Sequence, residues 1–194
     1  MTVQTPIPDF AAARAAMVEN QLRPQGVTDP LVIEAMGAIE RERFLPAPAV
    51  LGQLLTQMMP EAGQRALVVG AGTGYSAAVL ARMGLAVTAL ECDEAAAARA
   101  KELGIAVIQG PLQAGHKKGA PYHQILIDGA VEYIPDPIVA QLGEGGRLGT
   151  AIVDRGITRL VVGRKAGDAF GYLSVGDAGV PALPGFSRPK AFTF

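Results

Sequence analysis

A chain of 194 residues with a formal net charge of -1 carries no excess of basic residues that would attract nucleic acid or another polyanion. Hydrophobic residues make up 49 % of the chain, yet no apolar run approaches the roughly 18 residues of a membrane span. The opening residues, MTVQTPIPDF, lack the basic start and apolar stretch of a secretory signal. We therefore expect no nucleic-acid partner, no membrane partner and a cytoplasmic location.

The cysteine and histidine content sets two further expectations. Cys92 is the one cysteine of the chain, so no intrachain disulfide can form, which is compatible with a reducing cytoplasm. The two histidines lie in separate segments, and no group of residues has the spacing of a metal site. We expect no bound metal.

Residues 1–50 are predicted to form a helical arm. Asp9 can cap a first helix, and Asp29 can cap a second one with Pro30 at its first position, where a missing N–H costs little. The apolar side of the first helix would consist of Phe10, Ala13, Met17 and Val18. We expect the arm to pack on the core; the alternative is a lid over a ligand.

Residues 51–157 alternate apolar strands with helical segments. The predicted strands are 66–70, 86–91, 105–109, 124–129 and 147–153, with a helix expected over PDPIVAQLGEGG before the last of them. Strands apolar on both faces are typical of a parallel sheet covered by helices, which predicts a doubly wound α/β fold. Residues 158–194 favour two strands around a Gly-Asp turn, an antiparallel edge, and then a surface tail. We expect a single domain.

The first predicted strand runs into a glycine-rich turn that favours a nucleotide-like ligand. Gly70, Gly72 and Gly74 alternate there, and the N-terminus of the following helix would offer free N–H groups to an anion. A dinucleotide fingerprint would need glycine at position 75, which is Tyr75. The G-x-G-x-G spacing is the form associated with S-adenosylmethionine enzymes.

Glu91 ends the second predicted strand, at the crevice where a carboxylate can accept both hydroxyls of a ribose. The alternative is a solvated charge at the start of the next helix, a position that Asp93 or Glu94 can also fill. A ribose occurs in NAD and in S-adenosylmethionine alike, so Glu91 indicates a nucleoside without choosing between them.

Three stretches together resemble the protein-L-isoaspartate O-methyltransferases, and more narrowly a divergent bacterial branch of them: MVENQLRPQGVTDPLVIEAMGAIERERFLP (17–46), ALVVGAGTGYSAAVLARMG (66–84) and IPDPIVAQLGEGGRL (134–148). The resemblance implies a Rossmann-like class I methyltransferase fold. It also implies S-adenosyl-L-methionine as methyl donor, with S-adenosyl-L-homocysteine as product. The acceptor would be the carboxylate of an isomerised aspartyl residue in damaged protein.

The resemblance also implies roles for individual residues. The amino-acid moiety of the donor would lie against Gly70, Ala71, Gly72 and Gly74, its ribose on Glu91, and its adenine near Cys92, Gly110, Pro111 and Leu112. The family usually has Gly-Asp where this chain has Gly110-Pro111, so that side-chain acceptor is missing. Asp128 would face the cleft, where the family mostly has a small neutral residue, and is a weak catalytic candidate; the alternative is a loop cap.

The junction at residues 46–51 departs from the family. Relatives place a loop with Ser or Thr and Pro there, which covers the donor and helps hold the acceptor, whereas this chain runs FLPAPAVLGQLL. Since the resemblance resumes on both sides, we expect a spatial break between residues 46 and 52. A continuous chain would mean a true deletion. It would favour a protein that binds the donor without repairing isoaspartate. A third, weaker alternative is a methyltransferase for another acceptor, with Asp128 as a polar contact.

Overall fold

The computed structural model describes residues 9–41 and 48–188. The helices are α1 Phe10–Met17, α2 Pro30–Ala38, α3 Pro48–Met58, α4 Tyr75–Arg82, α5 Glu94–Glu102 and the single turn α6 Asp136–Val139. The strands are β1 Arg65–Val69, β2 Ala86–Glu91, β3 Val107–Gln109, β4 Tyr122–Val131, β5 Leu142–Asp154, β6 Ile157–Ala166 and β7 Ala169–Asp177. Within these ranges, no helix has the length and apolar character needed to cross a bilayer.

The seven strands form one sheet in the order β3-β2-β1-β4-β5-β6-β7. The pairs β3–β2, β2–β1, β1–β4 and β4–β5 are parallel. The pairs β5–β6 and β6–β7 are antiparallel. The chain winds outwards from β1 in both directions, so the carboxyl ends of β1, β2 and β4 meet at one edge of the sheet. This arrangement confirms the predicted doubly wound sheet with an antiparallel edge.

Strand β1 shows why the sheet is buried on both faces. Ala66 and Val68 pack into a core with the arm helices and α4, whereas Leu67 and Val69 point into a second core on the other face. All four side chains are fully buried. Because successive side chains of a strand point to opposite faces, a continuous apolar run is what two covering layers require.

The predicted helix caps are present in the arm. Asp9 accepts a hydrogen bond from the N–H of Ala12 at 3.0 Å, and Asp29 accepts one from Leu31 at 2.8 Å. The predicted apolar side of α1 is only half right. Met17 and the adjoining Val18 are buried, but Phe10 is 44 % exposed and Ala13 is exposed, because only the C-terminal end of α1 reaches the core.

The helix predicted over PDPIVAQLGEGG is wrong beyond its first turn. Helix α6 ends at Val139, and β5 already begins at Leu142, which pairs with Tyr122 of β4. The three glycines at 143, 145 and 146 explain the difference, because glycine weakens a helix interior. Tyr122 and Leu142 are both buried in the second core, so the start of β5 packs there.

The predicted break between residues 46 and 52 falls partly outside the described residues. Residues 46 and 47 are not described, and residues 48–52 run without interruption through the first turns of α3. The described part of the junction, residues 48–52, is therefore a continuous helix.

Candidate active site

The turn after β1 has the backbone conformation that its glycines predict. Gly70, Gly72 and Gly74 have φ values of 75°, 53° and 92°, in the left-handed region where a side chain is strained. A Cβ on Gly74 would lie 2.8 Å from Ile105, so this glycine allows close packing. A Cβ on Gly72 would meet no atom within 4 Å, so Gly72 faces open space.

Glu91 lies beneath this turn and is bound to it. The N–H of Gly72 donates to Glu91 Oε2 at 2.7 Å, and the N–H groups of Cys92 and Asp93 donate to Oε1 at 2.7 and 2.9 Å. The side chain is 6 % exposed. An ionised carboxylate offers about four acceptor positions, so three backbone bonds leave capacity for a further donor.

The segment predicted to surround an adenine lies beside Glu91. The N–H of Gly110 donates to the carbonyl of Glu91 at 3.0 Å, which brings the end of β3 next to the end of β2. Pro111 follows, and the Leu112 side chain is buried in the second core, so it supports this loop from below. Cys92 is exposed at the same edge, and partial desolvation, followed by the charge of Glu91, raises the pKa of its thiol.

A cavity of about 440 Å³ opens at the carboxyl ends of β1, β4 and β5. Its walls are mostly apolar. They are formed by Val50, Leu51, Leu54, Gly70, Ala71, Gly72, Thr73, Tyr75, Asp128, Gly129, Ala151, Val180 and Pro181. The structure thus places Gly70, Ala71, Gly72 and Asp128 in one cavity, whereas Gly74, Glu91, Cys92, Gly110, Pro111 and Leu112 lie outside its lining.

Asp128 brings the only carboxylate to the described lining of this cavity. Its neighbour Ile127 pairs with Val69, so Asp128 lies level with Gly70 at the start of the glycine turn. The buried hydroxyl of Ser76 on α4 donates to Asp128 Oδ2. Solvent reaches the carboxyl through the cavity while protein surrounds its other sides. This desolvation raises its pKa, the Ser76 bond opposes the rise, and the charge of Glu91 adds to it.

The C-terminal segment forms part of the cavity wall, which the sequence did not predict. The carbonyl of Pro181 accepts from Ala130 N–H at 2.8 Å, and Leu183 N–H donates to the Ala130 carbonyl at 2.8 Å. The Leu183 side chain covers Gly70 and Gly129, where added Cβ atoms would lie 2.9 and 2.5 Å from it. In the sequence, the signal for this docking was limited to two glycines, one directly after β1 and one within β4.

Chemically, the arrangement offers a glycine turn that leads into the N-terminus of α4, an anchored carboxylate at the end of β2 and an apolar cavity with one acidic group. Among residues 9–41 and 48–188, no cluster of His, Cys, Asp and Glu side chains could hold a metal ion. Parallel strands in the order 3-2-1-4-5, a glycine turn after the first and an acid ending the second are shared by nucleoside-binding α/β folds, among them the class I methyltransferase fold. The antiparallel strands β6 and β7 complete it.

The particular family follows from comparison with known proteins. The family model described as protein-L-isoaspartate(D-aspartate) O-methyltransferase matches residues 46–171. The protein-L-isoaspartate O-methyltransferase of Methylorubrum extorquens (strain PA1) is 39 % identical, with 95 % of this chain and 94 % of the relative covered. That of Koribacter versatilis (strain Ellin345) is 34 % identical, covering 85 % and 87 %. The chain therefore belongs to this family, whose members depend on S-adenosylmethionine.

Solved structures agree on the fold. A protein-L-isoaspartate O-methyltransferase superposes with a TM-score of 0.79 at 22 % identity, covering 89 % of this chain and 66 % of the other. A Plasmodium falciparum protein described as a member of the same family, in complex with S-adenosyl-L-homocysteine, superposes with a TM-score of 0.76 at 18 % identity. That match covers 88 % of this chain and 97 % of the other.

The sequence alignments also show that relatives carry residues that this chain lacks. The M. extorquens alignment has 214 positions and includes 95 % of the 194 residues of this chain, which is about 184 residues. In about 30 positions the relative therefore has a residue and this chain has none. The K. versatilis alignment has 194 positions and uses 85 % of this chain, about 165, which leaves about 29. This agrees with a family loop being absent here, while its placement at residues 46–51 stays a prediction.

Proposed function

We propose that this protein transfers the methyl group of S-adenosyl-L-methionine to the carboxylate of an isomerised aspartyl residue in a protein or peptide. The observation that carries the proposal is an open cavity beside the glycine turn in a chain of this family. The cavity lies outside the carboxyl ends of the central strands, which is where open α/β sheets bind their ligands.

The residues present fit the donor. Because Gly72 has no side chain, the space above it is open for the donor. The N–H groups at the start of α4 can bind the donor carboxylate. Glu91 is fixed at the end of β2 with capacity for one further donor, such as a ribose hydroxyl, and Gly110 and Pro111 lie next to it for the adenine. The donor, when bound, supplies an electrophilic methyl group on a sulfonium.

This reaction needs little acid–base catalysis from the protein. An aspartyl carboxylate is ionised at neutral pH, so its oxygen attacks the methyl carbon directly while the carbon–sulfur bond breaks and its electron pair stays on sulfur. The protein has to align the reacting atoms and exclude water. The apolar residues Val50, Leu51 and Leu54 of α3, with Val180 and Pro181 of the C-terminal segment, are the groups available for this.

A methyl-transfer assay tests the proposal. The protein is incubated with S-adenosylmethionine carrying a radiolabelled methyl group and either an isoaspartyl peptide or its normal aspartyl counterpart. We expect base-labile label on the isoaspartyl peptide alone. Binding of S-adenosylhomocysteine in calorimetry without transfer to either peptide would contradict the repair function and leave a donor-binding protein. The protein substrate and the cytoplasmic location stay predictions.

A further inference from the structure

We propose that Asp128, held by Ser76, binds the α-ammonium group of the donor's amino-acid moiety and thereby selects donors that carry this group. The inference rests on the proposed function, because it assumes that S-adenosylmethionine occupies the cavity. It assigns to a residue of the β4 end a role in donor specificity.

The first argument is the position of Asp128 along the sheet. With Glu91 at the end of β2 taking the ribose and the adenine on the β3 side, the amino-acid moiety of the donor extends across β1 towards β4, because β1 lies between β2 and β4. Asp128 lies within β4, three residues before the end of the strand and level with Gly70. The amino-acid moiety therefore reaches the cavity that Asp128 lines, on the side away from the ribose.

The second argument is the charge that this moiety carries. Its carboxylate can be met by N–H groups at the start of α4, but its ammonium needs an anionic partner, because an unpaired charge in an apolar cavity is costly. Among the described residues that line the cavity, Asp128 provides the only carboxylate. It forms no ion pair with any described residue, so its charge is available.

The third argument is the way in which Asp128 is held. Ser76 is 1 % exposed and donates to Oδ2, which fixes the orientation of the carboxyl group. The described residues offer Oδ1 no donor. A carboxylate with one oxygen anchored and the other facing a cavity is preorganised to accept a ligand's N–H group.

This pairing also favours the acceptor. An isoaspartyl carboxylate would be repelled by an ionised Asp128 in the same cavity, because like charges in a poorly solvated site disfavour each other. Once the ammonium of the donor pairs with Asp128, the net charge there is neutral. The donor then prepares the cavity for an anionic acceptor.

The test combines the substitution Asp128→Asn with removal of the α-amino group from the ligand. Calorimetry at pH 7 measures S-adenosylhomocysteine and S-(5′-adenosyl)-4-mercaptobutanoate, which lacks only the α-amino group, on the wild type and on Asp128→Asn. We expect Asp128→Asn to weaken S-adenosylhomocysteine at least tenfold and to change the affinity for the deaminated analogue less than threefold. Asp177→Asn removes an exposed carboxylate three strands away on β7 and serves as the charge-matched control.

An equal loss for both ligands would overturn the inference, because Asp128 would then act on the shape of the site alone. Unchanged binding of both ligands would overturn it as well. If the wild type binds neither ligand, the proposed donor itself is wrong. Thermal unfolding without ligand checks that Asp128→Asn is folded, and recovery of S-adenosylhomocysteine binding in Asp128→Glu would further support a role for the charge.

Discussion

The two ends of the site are built in different ways. At the β2–β3 end, Glu91 accepts three N–H groups from Gly72, Cys92 and Asp93, so each contact links residues within a βαβ unit. At the β4–β5 end, the cavity is enclosed by α3, by Asp128 and by the C-terminal segment, which are far apart in the chain. The first end is an anchored polar turn, and the second is an apolar chamber with one acidic group. The first end is thus assembled within one βαβ unit, whereas the second depends on the path of the whole chain.

The largest effect is expected from loosening the second end. Phe186 is 1 % exposed and anchors the C-terminal segment in the core on one face of the sheet. Phe186→Ala should lower the free energy of unfolding by about 3–5 kcal/mol, as for other large-to-small core substitutions. Urea unfolding measures this, and Phe10→Ala, which truncates a half-exposed ring, should change stability by about 0.5 kcal/mol or less.

The same variant sharpens the comparison of the two ends. In Phe186→Ala protein that is still folded, adenosine should bind as in the wild type, whereas S-adenosylhomocysteine should bind more weakly, because only its amino-acid moiety reaches the chamber. Equal losses for both ligands would mean that the two ends are not separate.

The next largest effect is expected at Gly72, where the two ends meet. Gly72→Val puts a branched side chain into the space kept open above the turn, and should weaken S-adenosylhomocysteine at least a hundredfold, as judged by calorimetry. Gly26→Val is the matched control, because Gly26 also has a positive φ, of 79°, with nothing within 4 Å of an added Cβ. Gly26→Val introduces the same backbone strain at a position outside the cavity lining. If the two variants bind S-adenosylhomocysteine alike, the open space at Gly72 does not hold the donor.

The same division explains what could be predicted from the sequence. The caps at Asp9 and Asp29 depend on residues within one turn of a helix, and the glycine turn and the acid ending β2 depend on residues within one βαβ unit, so local patterns identify them. The docking of Leu183 over Gly70 depends on the path of the whole chain and has no periodic signal. The early start of β5 has no local signal for a similar reason, since Leu142 pairs with Tyr122 of a neighbouring strand.

A moderate effect is expected at the anchored end. Glu91→Ala should weaken adenosine binding by about 1.5–3 kcal/mol, the scale of hydrogen bonds to a charged group, which corresponds to roughly 10- to 150-fold. Binding of 2′,3′-dideoxyadenosine should change little, because it lacks the ribose hydroxyls. The neighbouring Glu94→Ala, an exposed acid in the first turn of α5, is the control. An equal loss for both nucleosides would show that Glu91 only supports the turn, and an unchanged affinity would remove it from the ribose site.

The smallest effect is expected in the pH dependence of stability, and it comes from Asp128. Desolvation raises the pKa of this carboxyl in the folded protein, so between the ordinary value for an aspartate and the raised one the folded state binds more protons than the unfolded state. Stability must then fall as the pH rises through that interval. Asp128→Asn removes this loss, so its melting temperature should exceed that of the wild type at pH 7 and approach it near pH 4.

The difference should be a few degrees at most, because solvent in the cavity screens the charge. Ser76 opposes the shift and Glu91 adds to it, so Ser76→Ala should widen the interval in which wild-type stability declines. Differential scanning calorimetry from pH 4 to pH 8 measures both. A melting temperature of Asp128→Asn below that of the wild type at neutral pH would mean that the carboxylate stabilises the fold. Asp128 would then serve the fold, and the contrast between an anchored polar end and a chamber whose acidic group is free for a ligand would fail.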